Sequence, residues 1–141
     1  MDIRYEEYLK NPPLNSDDYY REIFNNISDA ILILDSSSGE ILDVNEQMLT
    51  MYGYTKDEVL GWNLIKFSSG ISPFSQNYVL SFMERAKTEG PQIFEWEAKK
   101  VDGSLFPVEV NLRYSALGNE DILLTVVRDI SMRNTRQNLS F

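Results

Sequence analysis

Residues 93–115 contain two consecutive segments in which apolar and polar side chains alternate strictly. One face of each segment collects apolar members: Phe94, Trp96, Ala98, Val108, Val110 and Leu112. The other face collects polar members: Glu95, Glu97, Lys99, Glu109, Asn111 and Arg113. A period of two predicts strands with one face on a core and one face in water. The chain is therefore expected to build an antiparallel sheet, with strands at 93–100, 105–115 and 122–128.

The pairing of the first two strands follows from matching their apolar faces. We predict that Trp96 lies opposite Val110 and Ala98 opposite Val108, across a three-residue loop of Asp102, Gly103 and Ser104. Gly103 would supply the positive φ that such a loop needs. In this register Glu97 faces Glu109, an unfavourable pair of like charges.

The first third of the chain predicts one helix and one hairpin. Tyr20, Ile23, Phe24 and Ile27 are spaced as one stripe of an amphipathic helix that begins near residue 16, with Ser16 or Asp17 as its cap. Two β-prone runs, at 30–34 and 40–44, flank a Ser-Ser-Ser-Gly turn. Residues 1–15, which contain two adjacent prolines, are expected to form an arm.

Residues 46–88 predict short helices rather than one long helix. Thr55 and Glu58 have the spacing of a capping box, so a helix should begin at Lys56. Gly53 and Gly61 are placed to end the preceding and the following pieces in left-handed turns. The expected helices are at 46–52, 56–60, 63–67 and 73–88. The resulting fold class is α+β, a five-stranded antiparallel sheet with helices on one side.

Composition excludes several kinds of chemistry. The 141 residues include no cysteine and no histidine, which removes disulfides, thiolate nucleophiles, imidazole bases and imidazole metal ligands. The net charge of −9 disfavours nucleic acid as a direct partner. No run of eighteen apolar residues and no leader pattern is present, so we expect no membrane span and a cytoplasmic location.

The sequence does not predict an enzyme. It has no glycine-rich phosphate loop and no nucleophile elbow. Glu95 and Glu97 could be viewed as paired carboxylates, but their alternation with apolar residues favours the wet face of a sheet. A gap between sheet and helices, lined by Met48, Tyr52, Trp96 and aliphatic residues, could hold a small apolar or aromatic ligand. The alternative is that these side chains simply fill the core.

These elements together resemble the PAS family of sensory domains. The likeness lies in DAILILDSSSGEILDVNEQMLTMYGYTKDEVLGWN at 29–63, FEWEAKKVDGSLFPVEVNL at 94–112 and VVRDIS at 126–131. The resemblance implies the strand order 2-1-5-4-3, with the broken helices covering a ligand cavity. It further implies a sensor module attached to an output domain such as a histidine kinase, a diguanylate cyclase or a transcription regulator.

Differences from the family's cofactor-binding members narrow the range of ligands expected for this chain. Leu64 stands at the position of the reactive cysteine in the light-oxygen-voltage members, so a cysteine-linked flavin is not expected. Haem ligated by histidine is not expected either. Ala98 and Val108 occupy positions where the light-sensing relatives carry asparagine, which leaves noncovalent flavin unsupported. An unknown small organic ligand, or none, fits the apolar inner face better.

The resemblance supplies the predicted functional residues. The cavity candidates are Met48, Tyr52, Asn63, Leu64, Trp96, Ala98, Val108, Val110 and Thr125. Asn63 and Thr125 are the polar members, for which a helix cap and a simple β position are the alternatives.

The predicted organisation has an arm at 1–15, a sensory domain at 16–131 and the start of a linker to a missing output domain at 132–141. We expect a homodimer, with Tyr20, Ile23, Phe24 and Ile27 as interface candidates. The alternative is that this helix docks on its own domain, and a ligand-free dimerisation module is the alternative function. Arg128, Asp129, Ile130 and Ser131 resemble the motif through which the family's signal leaves the domain.

Overall fold

The computed structural model describes residues 16–117 and 120–132. The predicted arm at 1–15 and nearly all of the predicted linker at 132–141 lie outside the described residues. In chain order the helices are α1 Ser16–Asn26, α2 Glu46–Tyr52, α3 Lys56–Val59, a 3₁₀ helix Leu64–Phe67, and α4 Gln76–Thr88. The strands are β1 Ala30–Asp35, β2 Ile41–Val44, β3 Gln92–Lys99, β4 Leu105–Leu117 and β5 Glu120–Asp129.

The five strands form one antiparallel sheet in the order β2-β1-β5-β4-β3, as the resemblance implied. Apolar side chains of the inner face are buried against the helices, among them Leu32, Val110, Leu112 and Leu123. The helices contribute buried side chains of their own: Met48, Tyr52, Val59, Phe67, Val79 and Met83. The predicted α+β class and the predicted inner and outer faces are confirmed.

The segment between β2 and β3 forms several short helices because it contains residues that end one helix and cap the start of the next. Gly53 ends α2 with a left-handed φ of 88°. The Glu58 carboxylate accepts from the backbone N–H and the hydroxyl of Thr55, both at 2.9 Å, so the predicted capping box is present. Asn63 then caps the 3₁₀ helix, its Oδ1 accepting from the N–H of Ile65 at 3.3 Å.

The long helix begins later than predicted. It was expected from residue 73, but α4 starts at Gln76, after Ser75. The Ser75 hydroxyl accepts from the N–H of Tyr78 at 3.3 Å and so satisfies one of the unpaired amides of the first turn. The serine side chain, rather than the preceding proline, sets this boundary.

The predicted register of the β3–β4 hairpin is wrong by two residues. Trp96 pairs with Val108 and Ala98 with Phe106, and Glu95 rather than Glu97 faces Glu109. The loop does have three residues, but they are 101–103, closed by the Lys100 N–H donating to the Ser104 carbonyl at 2.9 Å. The cause is the position of the glycine, since a three-residue loop needs its left-handed residue last. Gly103, with a φ of 87°, meets that need only in this frame.

A shift of two residues leaves every side chain on its predicted face, because the strand period is two. The predicted core was therefore correct although the pairs were not.

Helix α1 docks on its own domain. Phe24 is buried, and its carbonyl accepts from Asn45 Nδ2 at 3.2 Å. Arg21 pairs with Asp43 of β2 at 2.8 Å, and Lys56 approaches the same carboxylate at 3.3 Å. The predicted caps Ser16 and Asp17 have side chains outside the described part of the structure. Among the described residues, no helix is long and apolar enough to cross a membrane.

Candidate functional site

A small cavity lies between the inner face of the sheet and the helical cover. Its volume is about 10 Å³, the space of roughly one water molecule. The lining residues come from three strands and from the cover: Tyr52, Leu64, Phe67, Ser68, Val79, Phe94, Trp96, Val108, Val110 and Val127. In this conformation the core is nearly filled, and the ligand gap stays a prediction.

The wall of this cavity is mostly apolar, and the Trp96 indole N–H is already paired. Trp96 Nε1 donates to Ser68 Oγ at 2.7 Å, and both residues are buried. Ser68 is brought there by an antiparallel bridge to Ala98, so the 3₁₀ helix closes over the end of β3. The Ser68 oxygen accepts in this bond, so the Ser68 hydroxyl hydrogen is a donor that the wall could offer to a polar ligand.

Tyr52, at the end of α2, packs against other aromatic rings of the core. Its ring meets Phe67 and Phe106 edge-on, with centroids 5.4 Å away in each case. Burial, and secondarily the negative charge of Asp129, raises the pKa of the Tyr52 phenol far above its ordinary value. The phenol therefore stays neutral and cannot serve as a general base.

The structure brings together some of the predicted cavity residues and not others. Tyr52, Leu64, Trp96, Val108 and Val110 line the cavity. Met48 and Ala98 are buried in the surrounding core but are not among the lining residues.

For the two polar candidates the prediction of a cavity-lining role is wrong. Asn63 caps a helix, and its Nδ2 donates to the Ser38 carbonyl at 3.1 Å, so its amide faces the β1–β2 turn. Thr125 is fully buried on the inner face, opposite Leu32 and Leu112, and is the same-face neighbour of the lining residue Val127 without lining the cavity itself. Its hydroxyl has no hydrogen-bond partner among the described residues.

Sequence reasoning missed Phe67, Ser68, Val79, Phe94 and Val127 as lining residues. Phe94 and Val127 share the inner face with predicted members, so the alternation pattern contained their signal. The position of Ser68 depends on the long-range bridge to Ala98, for which the sequence carries no local signal.

The surface of α1 only partly matches the predicted interface. Tyr20, Ile23 and Ile27 are 45%, 49% and 40% exposed. Phe24 is only 5% exposed, so its assignment to a dimer interface is wrong. Its ring packs inward under Tyr20, with centroids 5.2 Å apart, and anchors the helix to its own domain.

The predicted exit motif lies where β5 ends. Arg128 makes a two-point ion pair with Asp29, its Nη2 and Nε lying 3.0 and 3.3 Å from the two carboxylate oxygens. The Asp129 carboxylate accepts from the Ser131 N–H and hydroxyl at 2.9 and 2.6 Å, and the chain turns helical at Ser131. Ile130 is buried, and its N–H donates to the Pro107 carbonyl. The exit is thereby fixed both to β4 and to the junction between α1 and β1.

Comparison with known proteins places this geometry in context. A family model described as PAS domain matches residues 28–132. The methyl sulfide methyltransferase-associated sensor of Methanosarcina acetivorans is 32% identical over 118 residues, which cover 84% of this chain and 12% of that sensor. The chain thus spans about an eighth of that relative's length.

Solved structures show the same fold. The PAS domain of an HTR-like protein from Haloarcula marismortui has a TM-score of 0.73 and 29% identity, covering 92% of this chain and all of the other. A domain of a sensory box sensor histidine kinase/response regulator from Geobacter sulfurreducens has a TM-score of 0.64 and 26% identity, covering 79% of this chain and 92% of the other.

Proposed function

The chain belongs to the PAS domain family, and from this premise we propose that it is a sensory or relay module that dimerises and passes a conformational signal to an output domain. The output would be a histidine kinase, a diguanylate cyclase or a transcription regulator, in the same chain or in a partner. We propose no catalytic activity for the domain itself, and a cytoplasmic location.

The observation that carries this proposal is the exposed stripe of α1. Tyr20 and Ile23 of α1, and Ile27 directly after the last residue of the helix, are each at least 40% exposed, whereas Phe24 is anchored inside. A helix that is fixed by one apolar side chain, and that together with the residue after it presents three more to solvent, is suited to pairing with a second copy.

The ion pair between Arg128 and Asp29 supports a relay from this helix to the exit. Asp29 follows α1 and precedes β1, and Arg128 is the penultimate residue of β5, the strand that leads to the exit motif. Association at α1 can shift the output only if the two arrangements of the helix and the exit segment bind the partner with different affinity.

Sensing of an unknown small organic ligand inside the core is the second candidate. The buried hydroxyl of Thr125 favours it: this group has no hydrogen-bond partner in the described part of the chain and can accept or donate a hydrogen bond once a ligand is present. Because the cavity holds only about 10 Å³, the cover helices would have to move outward to admit the ligand. Any ligand must bind without cysteine or histidine, which this chain lacks.

Sedimentation equilibrium tests the dimer. We expect the protein to dimerise at micromolar concentration and Ile23→Glu to be monomeric, because a carboxylate would be desolvated at the interface. Ile71→Glu is the matched control, since Ile71 is 59% exposed on a loop outside α1. A wild-type monomer at all concentrations, or equal effects of both substitutions, would contradict the proposed interface.

Mass spectrometry under native and denaturing conditions tests the second candidate. A retained organic molecule that is released on denaturation would establish ligand sensing. Release of nothing, together with no thermal shift across a panel of metabolites, would favour a ligand-free dimerisation module.

A further inference from the structure

The wall of the interior cavity is thinnest at Phe94. Nine of its ten lining residues are at most 8% exposed, whereas Phe94 is half-buried and so reaches both the cavity and the surface. Phe94 lies on β3, and its ring stacks on Phe82 of α4 with centroids 3.8 Å apart. At this point the wall between cavity and solvent is one residue thick.

Aromatic rings close the boundary between β3 and the first half of α4. The Tyr78 ring of α4 lies 5.7 Å from the Trp96 indole, and the ring of Phe74, just before the helix, lies 5.2 Å from the same indole, measured between centroids. We call Phe74, Tyr78, Phe82, Phe94 and Trp96 the α4–β3 seam. Tyr78 is 42% exposed, so the seam extends from the cavity wall to the surface.

The first half of α4 is attached to the domain by apolar contacts. Among the described residues, no hydrogen bond or ion pair joins a side chain of α4 to another helix or strand. The hydroxyls of Ser81 and Thr88 bond to carbonyls of their own helix, and Lys87 pairs with Glu84. In the described chain between Ser69 and the start of α4, the hydrogen bonds of residues 70–75 are likewise local.

The second half of α4 has additional anchors. Met83 is buried and contacts Gly39 in the β1–β2 turn. Lys87, one turn further along, attracts the Asp35 carboxylate at the end of β1. The helix is therefore held more firmly at its second half than at the seam, and an outward swing would pivot about that second half.

The other parts of the cover are closed by hydrogen bonds. The end of the 3₁₀ helix is tied to β3 twice, by Trp96 Nε1 donating to Ser68 Oγ at 2.7 Å and by the Ser69 N–H donating to the Glu97 carbonyl at 3.0 Å. Asn45 ties the start of α2 to β1. Opening at these places would leave buried donors and acceptors unpaired, whereas opening at the seam exposes apolar surface alone.

We propose that the α4–β3 seam is the entrance to the interior cavity, opened by an outward swing of the first half of α4 that separates Phe82 from Phe94. The proposal rests on the second candidate function, ligand sensing inside the core, and identifies the part of the cover that moves. Val79 lines the cavity from the same half of α4, so the swing also enlarges the cavity. Trp96 stays bonded to Ser68 throughout.

Cysteine labelling of the full chain measures this opening, because the chain has no cysteine of its own. Val110→Cys places a thiol in the cavity wall on β4, opposite Phe94. Val127→Cys, at another lining position, is the second probe. Val44→Cys is the matched control, since Val44 is also buried in the core but does not line the cavity.

The reagent is 5,5′-dithiobis(2-nitrobenzoic acid), used under native conditions on variants whose folding is checked by circular dichroism. After correction for the global stability of each variant, both cavity probes should react about tenfold faster than Val44→Cys, because a local opening exposes them without global unfolding. Their rates should also rise less steeply with urea, since a local opening exposes less surface.

Two further substitutions in the Val110→Cys background locate the opening. Phe82→Leu removes the ring stack but keeps an apolar side chain, and it should speed labelling about fivefold after correction for stability. Ser68→Ala removes the hydrogen bond to Trp96 that closes the 3₁₀ helix over β3. That bond is present in both the closed and the open state of the seam, so its loss should change the corrected rate less than about twofold.

Two results would overturn the proposed entrance. One is equal labelling of the cavity probes and Val44→Cys, and the other is a larger effect of Ser68→Ala than of Phe82→Leu. Neither measurement needs a bound ligand. Failure of the entrance is therefore distinguishable from failure of ligand sensing, which the mass spectrometry tests.

Discussion

Replacement of Asn45 offers a sharp test of how α1 is joined to the rest of the domain. This fully buried amide makes four hydrogen bonds, one for each of its donors and two at its oxygen. Oδ1 accepts from the N–H groups of Ile31 and Met48 at 2.9 and 3.1 Å. Nδ2 donates to the carbonyls of Phe24 and Asp29 at 3.2 and 3.0 Å.

Asn45→Ala should lower the free energy of unfolding by about 3–5 kcal/mol. It removes a helix N-cap, worth about 1 kcal/mol, and leaves buried donors and acceptors unpaired at about 1–3 kcal/mol each. The hydrogen bond to the Asp29 carbonyl is only partly buried, so water can replace it, which keeps the total near the lower end of the summed terms. This loss is a large part of the 5–15 kcal/mol that stabilises an ordinary domain.

Asn45→Asp tests the hydrogen bonds that the Asn45 side chain accepts separately from those that it donates. The carboxylate still accepts from Ile31 and Met48, and its charge suits the start of α2, but it cannot donate to the two carbonyls. We expect a loss of about 2 kcal/mol at pH 7. Burial beside two carbonyl oxygens should raise the pKa of this carboxyl, and its protonated form can donate again. The difference from wild type should therefore shrink at pH 4.

Urea unfolding followed by circular dichroism measures these losses. With an m-value of about 1.5–2 kcal/mol/M, the alanine variant should unfold at about 2 M lower urea. Asn63→Ala is the matched control, because Asn63 also caps a helix and donates to one carbonyl, yet is partly exposed. It should cost about 1 kcal/mol. Equal losses at the two positions, or an Asn45→Asp variant as stable as wild type at pH 7, would refute this account of the amide.

Two further substitutions test individual polar groups. Thr125→Val removes a buried hydroxyl that has no partner among the described residues, so it should raise the free energy of unfolding by about 1 kcal/mol. Thr50→Val, on the exposed side of α2, is the control and should change the free energy of unfolding little. A destabilised Thr125→Val variant would show that the hydroxyl is hydrogen-bonded in solution. Hydrogen bonds from the N–H groups of Ser38 and Ser37 lower the pKa of Asp35 below its ordinary 3.8. The ionised Asp35 therefore stabilises the fold at pH values above 3.8, and this stabilisation is lost as the pH falls through the lowered pKa. Asp35→Asn should accordingly flatten the acid end of the stability profile measured by urea unfolding, and parallel profiles for the variant and wild type would contradict this assignment.

The features that the sequence predicted well are those encoded within a few residues. The capping box of Thr55 and Glu58 spans four positions, and the alternation around Trp96 needs only one strand to be visible. Both are determined by local geometry, the helix start in one case and the strand period in the other. The inner and outer faces of β3 and β4 were therefore correct even though the register between the strands was not.

The features that the sequence did not predict depend on how distant segments meet. The size of the cavity depends on whether Trp96, Phe67 and Val79 interlock, and close packing at that level has no signature in a linear pattern. The burial of Phe24 is a similar case, since the helix stripe identifies an apolar side but not which of its members turns inward.

Asn45 shows why such features also matter for a relay. Its position just before α2 marks it only as a helix cap, yet its other bonds join it to Ile31, Asp29 and Phe24, which are 14, 16 and 21 residues away. One amide therefore connects the end of α1, the start of β1 and the first turn of the helical cover. Asp29 in turn pairs with Arg128 at the exit. A displacement of α1 by a partner copy would be accommodated either at this amide or at the exit ion pair, and comparing Asn45→Asp with Arg128→Gln would distinguish these routes.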